Sequence, residues 1–350
     1  MNLLFTLCSN NYLAQAKVLA DSARQFQPDW TFLIGLVDKK DPSIPYQDFG
    51  FEIIEVAQME PRINILSQKY SILELSACVK PSFFEYLFGQ RKAERVIYMD
   101  PDTLIYSPLE AVDHLLSEHN IVLTPHILSP IPMDGLSPDE PLFLNYGLYN
   151  LGFLALKKTT ETLRFLRWWR ERTYQKGYDN PARGLFTDQL WINFAPLYFE
   201  GVAILKHPGY NMGPWNLHER SLRETEGLLY LESGEPLVFY HFSGFKPAVP
   251  KLHYDYTRFT MEQRVDLQNL YRTYEQRILQ TQYTKYSAMP CHYVAAHQQF
   301  LAARQPPPPP MPYYQKKVRQ FKDILSVRLK KITSINLKTS LKKWLPEKQA

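Results

Sequence analysis

Arg95-Val-Ile-Tyr-Met-Asp100-Pro-Asp102-Thr-Leu-Ile-Tyr106 is the stretch from which the fold can be read. Val96, Ile97, Tyr98 and Met99 form an unbroken apolar run with β-branched residues, the pattern of a strand buried on both faces of a mainly parallel sheet. Pro101 cannot donate to a ladder, so it ends or bends that strand. Two carboxylates, Asp100 and Asp102, therefore stand at the C-terminal end of a central strand, the edge on which open α/β sheets bind ligands. Acids this close repel unless something positive lies between them, and a divalent metal carrying a diphosphate satisfies both. Taken alone, the same residues read more readily as a turn capping the next element.

Outward from this strand the chain alternates strands and helices. On the N-terminal side, residues 2–8 read as a strand. Residues 11–27 read as a helix with Leu13, Ala16, Val18, Leu19 and Ala23 inward, and 30–37 and 51–56 as strands, with turns at Pro28-Asp29 and Asp41-Pro42. Residues 67–88 read as one or two helices, with Pro81 opening the second directly after Lys80. On the C-terminal side come a helix over 108–118, a short strand at 121–123, a long loop over 125–145 beside the site, and a strand over 149–156. Residues 160–176 read as a helix with Leu163, Leu166, Trp168 and Trp169 on one side and Arg164, Arg167, Arg170 and Arg172 mostly on the other. A helix over 187–195 begins at Thr187-Asp188, an N-cap pair. Strands near 202–206 and 237–241 and a helix over 260–280 follow. The class is α/β, with a mixed, mainly parallel sheet and helices on both faces.

At 350 residues, one large domain with an appendage or two domains are expected. Hydrophobic content of 45% and charge of 21% fit a soluble globular chain with a real core. The 23 Tyr, 20 Phe and 6 Trp suit binding of sugars and bases, and equally an ordinary core. Cys8, Cys78 and Cys291 have no metal-like spacing, and so sparse a set argues for a reducing compartment. The N-terminus is apolar but short and lacks a basic leader, so it reads as a first strand rather than a signal peptide. No run approaches the roughly 18–20 apolar residues of a membrane span. The net charge of +5 is asymmetric: residues 313–350 hold eleven Lys/Arg and two acids, a net of +9, which leaves −4 for the rest. Five prolines at 306–310 read as a stiff spacer, a linker over 306–312. Beyond it, Val318, Phe321, Leu325, Leu329 and Ile332 repeat at helical spacing among lysines and arginines. A basic amphipathic helix of this kind suits an anionic membrane surface; a solvated tail or an RNA-binding arm are the other readings. An acidic body without an RNA-binding motif speaks against nucleic acid.

Strands alternating with helices, and Asp-x-Asp at a strand end, resemble the GT-A fold of nucleotide-sugar-dependent glycosyltransferases. Six short motifs over roughly residues 1–250 fall in the order of the family 8 type, the lipopolysaccharide galactosyltransferases and glycogenin. In Thr6-Leu-Cys8-Ser-Asn10-Asn11-Tyr12, the resemblance implies that Tyr12 stacks on the base and that Thr6 and Asn10 hydrogen-bond base or ribose. Cys8 or Ser9 stands where the family often has an acid, and Ser9 or Asn10 reads equally as a helix cap. Asp38 is a further ribose or base candidate. Lys80 matches the family's cation facing the diphosphate, although Glu74 and Lys80 also read as a surface pair. Asp102 is implied to bind the metal directly, and Asp100 to bind the metal and ribose or the donor sugar. In Tyr149-Asn150-Leu-Gly152, Asn150 is implied to touch donor or acceptor sugar and Gly152 to allow close backbone approach.

In Phe186-Thr-Asp188-Gln189, Asp188 is implied to bind donor-sugar hydroxyls and Gln189 to lie near the anomeric carbon. An amide cannot act as a general base, so this points to retention, with a donor phosphate oxygen deprotonating the acceptor. The neighbouring Asp188 keeps inversion or double displacement open. In His241-Phe-Ser-Gly244-Phe-Lys246-Pro247, one residue shorter than the family pattern, His241 is implied as third metal ligand and Gly244 and Lys246 as diphosphate contacts. Such a ligand set favours Mn²⁺ or Mg²⁺ over structural Zn²⁺. Trp215 offers a face for a sugar ring and Asn216 polar contacts; a buried Trp215 is the equal alternative.

The resemblance thus implies a metal-dependent transfer of a hexose, from a UDP-hexose or similar donor, to a glycan or glycolipid in cell-surface polysaccharide or lipopolysaccharide synthesis. A catalytic domain over 1–305 is expected, with a nucleotide-binding half to about 106 and an acceptor-binding half beyond; the sparse cysteines and the basic tail add a cytoplasmic location, peripheral on the inner face of the membrane. Two alternatives remain: an inactive nucleotide-sugar-binding or scaffold protein at the membrane, and a sugar-phosphate nucleotidyltransferase. The latter needs a Gly-rich loop after the first strand, where this chain reads Cys8-Ser-Asn-Asn-Tyr12.

Overall fold

Short apolar strands alternate with amphipathic helices along the chain. First come β1 (Asn2–Cys8), α1 (Leu13–Phe26), β2 (Thr31–Leu36) and β3 (Glu52–Glu55), then α2 (Ile63–Lys69), α3 (Ile72–Gly89), β4 (Arg95–Met99) and β5 (Thr103–Ile105). They are followed by α4 (Glu110–Glu118), β6 (Ile121–Pro125), α5 (Glu140–Tyr146), β7 (Tyr149–Lys157) and α6 (Thr160–Lys176). A small hairpin, β8 (Asp179–Asn180) and β9 (Leu185–Phe186), precedes α7 (Ala195–Tyr198) and β10 (Val202–Ile204). Last come β11 (Leu222–Thr225), β12 (Leu228–Leu231), β13 (Phe239–His241), α8 (Val265–Gln280), α9 (Tyr283–Ser287) and α10 (His292–Arg304). This computed structural model describes residues 1–304, of which Met1–Ala302 make one compact unit. The linker over 306–312 and the basic tail over 313–350 lie outside the described residues.

Seven strands form the central sheet in the order β10-β6-β7-β4-β1-β2-β3. All neighbours are parallel except β7, which runs against both β4 and β6. The expected mixed, mainly parallel sheet with helices on both faces is therefore present. Val96 to Met99 are buried, as the apolar run requires. Alternation sends Leu3, Phe5 and Leu7 to the face covered by α3 and α6, and Leu4 and Cys8 to the face covered by α1 and α4. Because β7 alone is reversed, the C-terminal ends of β1, β4 and β6 and the start of β7 share one edge, and the functional motifs meet there.

Three local expectations are corrected. Pro81 does not open a helix; it lies inside α3. That helix starts earlier because Ser71 and Glu74 close a reciprocal capping box, with the Ser71 N–H donating to Glu74 Oε2 at 2.8 Å. Pro81 brings no N–H to the Ala77 carbonyl, a loss of stability normally near 3 kcal/mol or more. Stacking of Phe83 on Phe5 at 4.8 Å and the edge contact of Phe84 at 4.9 Å work against it, each buried ring being worth about 1.5–3 kcal/mol. The loop over 125–145 contains α5, capped by Asp139, whose Oδ1 accepts from the Leu142 N–H. No helix begins at Thr187-Asp188. Thr187 sits at φ +43, a 3-10 turn covers Leu190–Phe194, and the Asp188 carboxylate is used elsewhere.

Candidate active site

At the shared strand edge lies a cleft of about 610 Å³, lined from β1, α3, β4, α5, β7 and the segments around Asp188 and His241. The Asp-Pro-Asp turn forms its floor. β13 pairs antiparallel with β5 so that His241 stands opposite Thr103, and the Phe242 N–H donates to the Asp102 carbonyl at 2.8 Å. This ladder brings His241 Nε2 to 3.0 Å from Asp102 Oδ1 and 3.8 Å from Asp100 Oδ2. Asp100 Oδ1 also accepts from the Tyr98 hydroxyl. Burial disfavours the imidazolium, but the charges of Asp102 and then Asp100 outweigh it and raise the His241 pKa. Burial pushes the Asp102 carboxyl up, and the His241 charge and hydrogen bond pull it back below its usual range. Asp100 ends up raised, because burial outweighs Lys80 and His241 there.

These three groups fit a divalent cation. Their ligand atoms lie within 4.8 Å of one another, two are hard oxygen donors, and Nε2 of the buried imidazole faces both carboxylates. Gly152 makes the approach possible. A Cβ there would stand 2.5 Å from His241 Cε1 and 2.6 Å from Asn150 Oδ1, while its carbonyl accepts the Asp100 N–H at 2.9 Å.

Next to the acids sits a buried ion pair. Lys80 Nζ lies 2.8 Å from Asp188 Oδ2 and donates to the Leu151 carbonyl at 3.0 Å, above the Tyr98 ring at 4.3 Å. Lys80 is thus spent on holding Asp188 rather than on Glu74, which caps α3. Asp188 keeps Oδ1 toward Thr187 Oγ1 at 3.2 Å. Gln189 is fixed at both ends: Oε1 accepts the Leu151 N–H at 2.8 Å and Nε2 donates to the Tyr146 carbonyl at 2.9 Å. Asn150 Oδ1 accepts the Gly152 N–H at 2.7 Å, and its Nδ2 meets His126 Nε2 at 3.1 Å. Burial lowers the His126 pKa to about 4, so near neutrality the ring is uncharged and Nε2 accepts from Asn150. Each amide keeps one N–H uncommitted by these bonds.

The structure therefore brings Tyr12, Lys80, Asp100, Asp102, Asn150, Gly152, Asp188, Gln189, Trp215 and His241 to one cleft. Trp215 is buried, its ring edge-on to both His126 and His241. Other expected contacts lie elsewhere. Thr6 is fully buried on the α1 side of β1, two residues short of the edge. Asn10 turns inward, donating to the Lys39 carbonyl at 2.8 Å and accepting from the Tyr46 hydroxyl at 2.6 Å. Asp38 accepts the N–H groups of Asn10, Lys39 and His292, so it fastens the start of α10 to the first loop. Gly244 turns the chain at φ +71 beside His253, and Lys246 is exposed over the Tyr254 ring at 4.5 Å. Asn216 and Arg220 are also structural. Asn216 Nδ2 donates to the His126 and Asn211 carbonyls, and Arg220 to those of Pro208 and Tyr210.

Sequence reasoning missed His126, Phe143 and Tyr146. His126 follows directly on the end of β6, the signal that singled out Asp100. Ending the strand at residue 123 hid it.

No family model matches the chain. It is similar to two uncharacterized proteins of Bacillus subtilis. YfnF is 28% identical over 245 residues, covering 69% of this chain and 80% of that protein, and YfnD 23% identical over 258 residues, covering 70% and 78%. Among solved structures it is similar to the galactosyltransferase LgtC in complex with donor and acceptor sugar analogs, at 16% identity and a TM-score of 0.45 over 85% of this chain and 100% of that one. It is also similar to the glycosyltransferase GlyE of Streptococcus pneumoniae, at 13% identity and a TM-score of 0.42 over 89% and 67%.

Proposed function

We propose that this chain is a metal-dependent glycosyltransferase of GT-A type that moves a hexose from a nucleotide diphosphate sugar, UDP-linked, to a hydroxyl of a glycan or glycolipid acceptor. The observation that carries this reading is the cluster Asp100, Asp102 and His241 opening onto the same cleft as the Lys80–Asp188 pair and Gln189. Asp100, Asp102 and His241 would hold Mn²⁺ or Mg²⁺, which would supply the positive charge that a departing nucleoside diphosphate needs.

The chain's own residues do the rest. Tyr12, partly exposed at the end of β1, offers a ring for the base. Lys80 fixes the orientation of Asp188, whose second oxygen is positioned to accept from sugar hydroxyls. Asn150 presents its uncommitted N–H from the start of β7. Gln189 is anchored on two backbone groups and offers a neutral amide where positive charge develops at the sugar carbon. An amide takes no proton at neutral pH. Deprotonation of the acceptor then falls to an oxygen of the donor itself, which supports retention. Such a site suits synthesis of a cell-surface polysaccharide or lipopolysaccharide. The basic tail suits peripheral attachment to the inner face of the membrane.

The test is Asp102→Asn, which keeps the side chain's size and removes its charge. Metal-dependent turnover of nucleotide sugars is expected to fall at least a hundredfold, with far-UV circular dichroism unchanged. Unaltered metal-dependent turnover in this variant removes the reading. Hydrolysis of the donor without acceptor, followed with Mn²⁺ and a panel of nucleotide sugars, separates an enzyme from an inactive sugar-nucleotide-binding protein.

A further inference from the structure

Parts of the cleft differ in chemistry. The part at β1 is lined by Ser9, Asn11 and Tyr12. Another part of the cleft is lined by the start of α3, by α5 and by Phe186 of β9. On α3, Lys80, Ala77, Ser76 and Leu73 share one face at helical spacing and all line the cleft. Exposure rises along that face from 4% at Lys80 and 7% at Ala77 to 59% at Leu73. The face thus runs from the buried ion pair to the surface, over seven residues or about 10 Å. Its one polar group on the way is the Ser76 hydroxyl. Across from it, Leu142 and Tyr146 of α5 line the cleft, with Phe186 of β9 edge-on to Tyr146 at 4.5 Å. Gln189 donates to the Tyr146 carbonyl, so this apolar wall is joined to the reacting position itself.

A passage for a polysaccharide needs hydrogen-bonding groups along its length, since sugar hydroxyls lose their water there. This one offers mainly aliphatic and aromatic carbon, with the Ser76 and Tyr146 hydroxyls as the polar groups along it. Resting on the glycosyl-transfer reading, which places the acceptor hydroxyl beside Gln189, we infer that the acceptor carries an apolar aglycone directly behind the reacting sugar unit. Leu73, Leu142, Tyr146 and Phe186 form its subsite. A single hexose fills the inner part of the passage, and an alkyl or aromatic group leaves along α3.

The experiment compares octyl and methyl β-D-glucopyranosides and β-D-galactopyranosides, each below its micelle concentration, by titration calorimetry on the full chain with Mn²⁺ and UDP. The octyl compound of one sugar is expected to bind at least roughly tenfold tighter than its methyl counterpart, the ratio that two buried methylenes give. Leu73→Ser and Leu142→Ser are each expected to bring that ratio toward one. Leu73 is mostly exposed, so its replacement leaves the fold standing. Equal affinity for octyl and methyl compounds overturns the inference, and so does a preference that both variants retain. Donor hydrolysis is followed in parallel on the same proteins, with Mn²⁺ and a panel of UDP-sugars in place of UDP. If it is absent while the Leu73-dependent octyl preference holds, the transfer reading fails and the apolar subsite stands.

Discussion

His126 illustrates how one side chain governs another in this cleft. Asn150 can turn its carbonyl to the Gly152 N–H only if its amide nitrogen finds an acceptor, and a neutral His126 supplies one. Burial holds the His126 pKa at about 4, against about 6.5 in an unfolded chain. The group is depressed in the fold, so its contribution to stability is fully present above pH 6.5. Between pH 6.5 and 4 the unfolded chain takes up a proton that the folded chain refuses, and stability falls by up to about 1.4 kcal/mol per pH unit. From pH 7 to pH 5, wild-type protein is expected to lose about 2 kcal/mol more unfolding free energy than His126→Gln, as read by urea denaturation. Equal losses in the two proteins remove His126 from this account. At this scale the sequence was partly legible. The two aspartates were readable as a pair at a strand end, whereas Asp188, Gln189 and His241 were singled out by the family resemblance, Asp188 and Gln189 as the start of a helix that the structure does not form. Alternation along β1 puts Thr6 with Leu4 and Cys8 on the α1 face, where it is buried. Asn10 and Asp38 were not readable, because their partners Tyr46 and His292 are 36 and 254 residues away.

Elements were legible in proportion to the number of signals that agreed. α6 was readable to the residue because Thr159 caps it, an apolar stripe runs along it and Gly177 follows it. β8, β9 and β5 are two or three residues long, too short for periodicity to declare them. In α10 only Tyr293 is buried, so no apolar stripe marked it. α3 was misread because Pro81 looks like a first-turn residue. The consequence is mechanical: Lys80 sits mid-helix, held by the packing of Phe83 and Phe84, and from there α3 reaches across to the segment after β9. The Lys80–Asp188 pair joins the two. Removing one partner of a buried pair leaves an uncompensated charge and typically costs about 3–5 kcal/mol, whereas replacing both by apolar residues is often neutral. Lys80→Met is therefore expected to lower the unfolding free energy by about 3–5 kcal/mol, and Lys80→Met with Asp188→Leu to recover most of it. Both variants should lose donor hydrolysis. Denaturant titration decides the first point: if Lys80→Met costs under about 1 kcal/mol, the pair does not carry the link between α3 and this segment.

At the scale of the molecule, sheet order explains why motifs separated by more than a hundred residues converge. Reversing β7 alone places the end of β4, the end of β6 and the start of β7 on one edge, and β5 with β13 returns His241 to it. The α/β class was readable from alternation, but which strand is reversed was not, because antiparallel pairing of β7 leaves no mark in its apolar run. Charge is the other molecular property. Residues 313–350 hold a net of +9 and the remainder −4. No helix among the described residues is long and apolar enough to cross a membrane. An anionic bilayer repels a body with net negative charge, so the proposed attachment would have to be borne by the tail. Each Lys or Arg near such a surface contributes about 1 kcal/mol, within a Debye length of about 10 Å at 0.1 M salt. The full chain is expected to co-sediment with phosphatidylserine-containing vesicles at low salt and to be released as ionic strength approaches 1 M. Vesicles of phosphatidylcholine alone should retain much less. A chain ending at residue 310 should stay in the supernatant on both, while still hydrolysing a soluble donor. Binding of that shortened chain to anionic vesicles, or binding of the full chain that ignores salt, would show that attachment does not come from the charge of the tail.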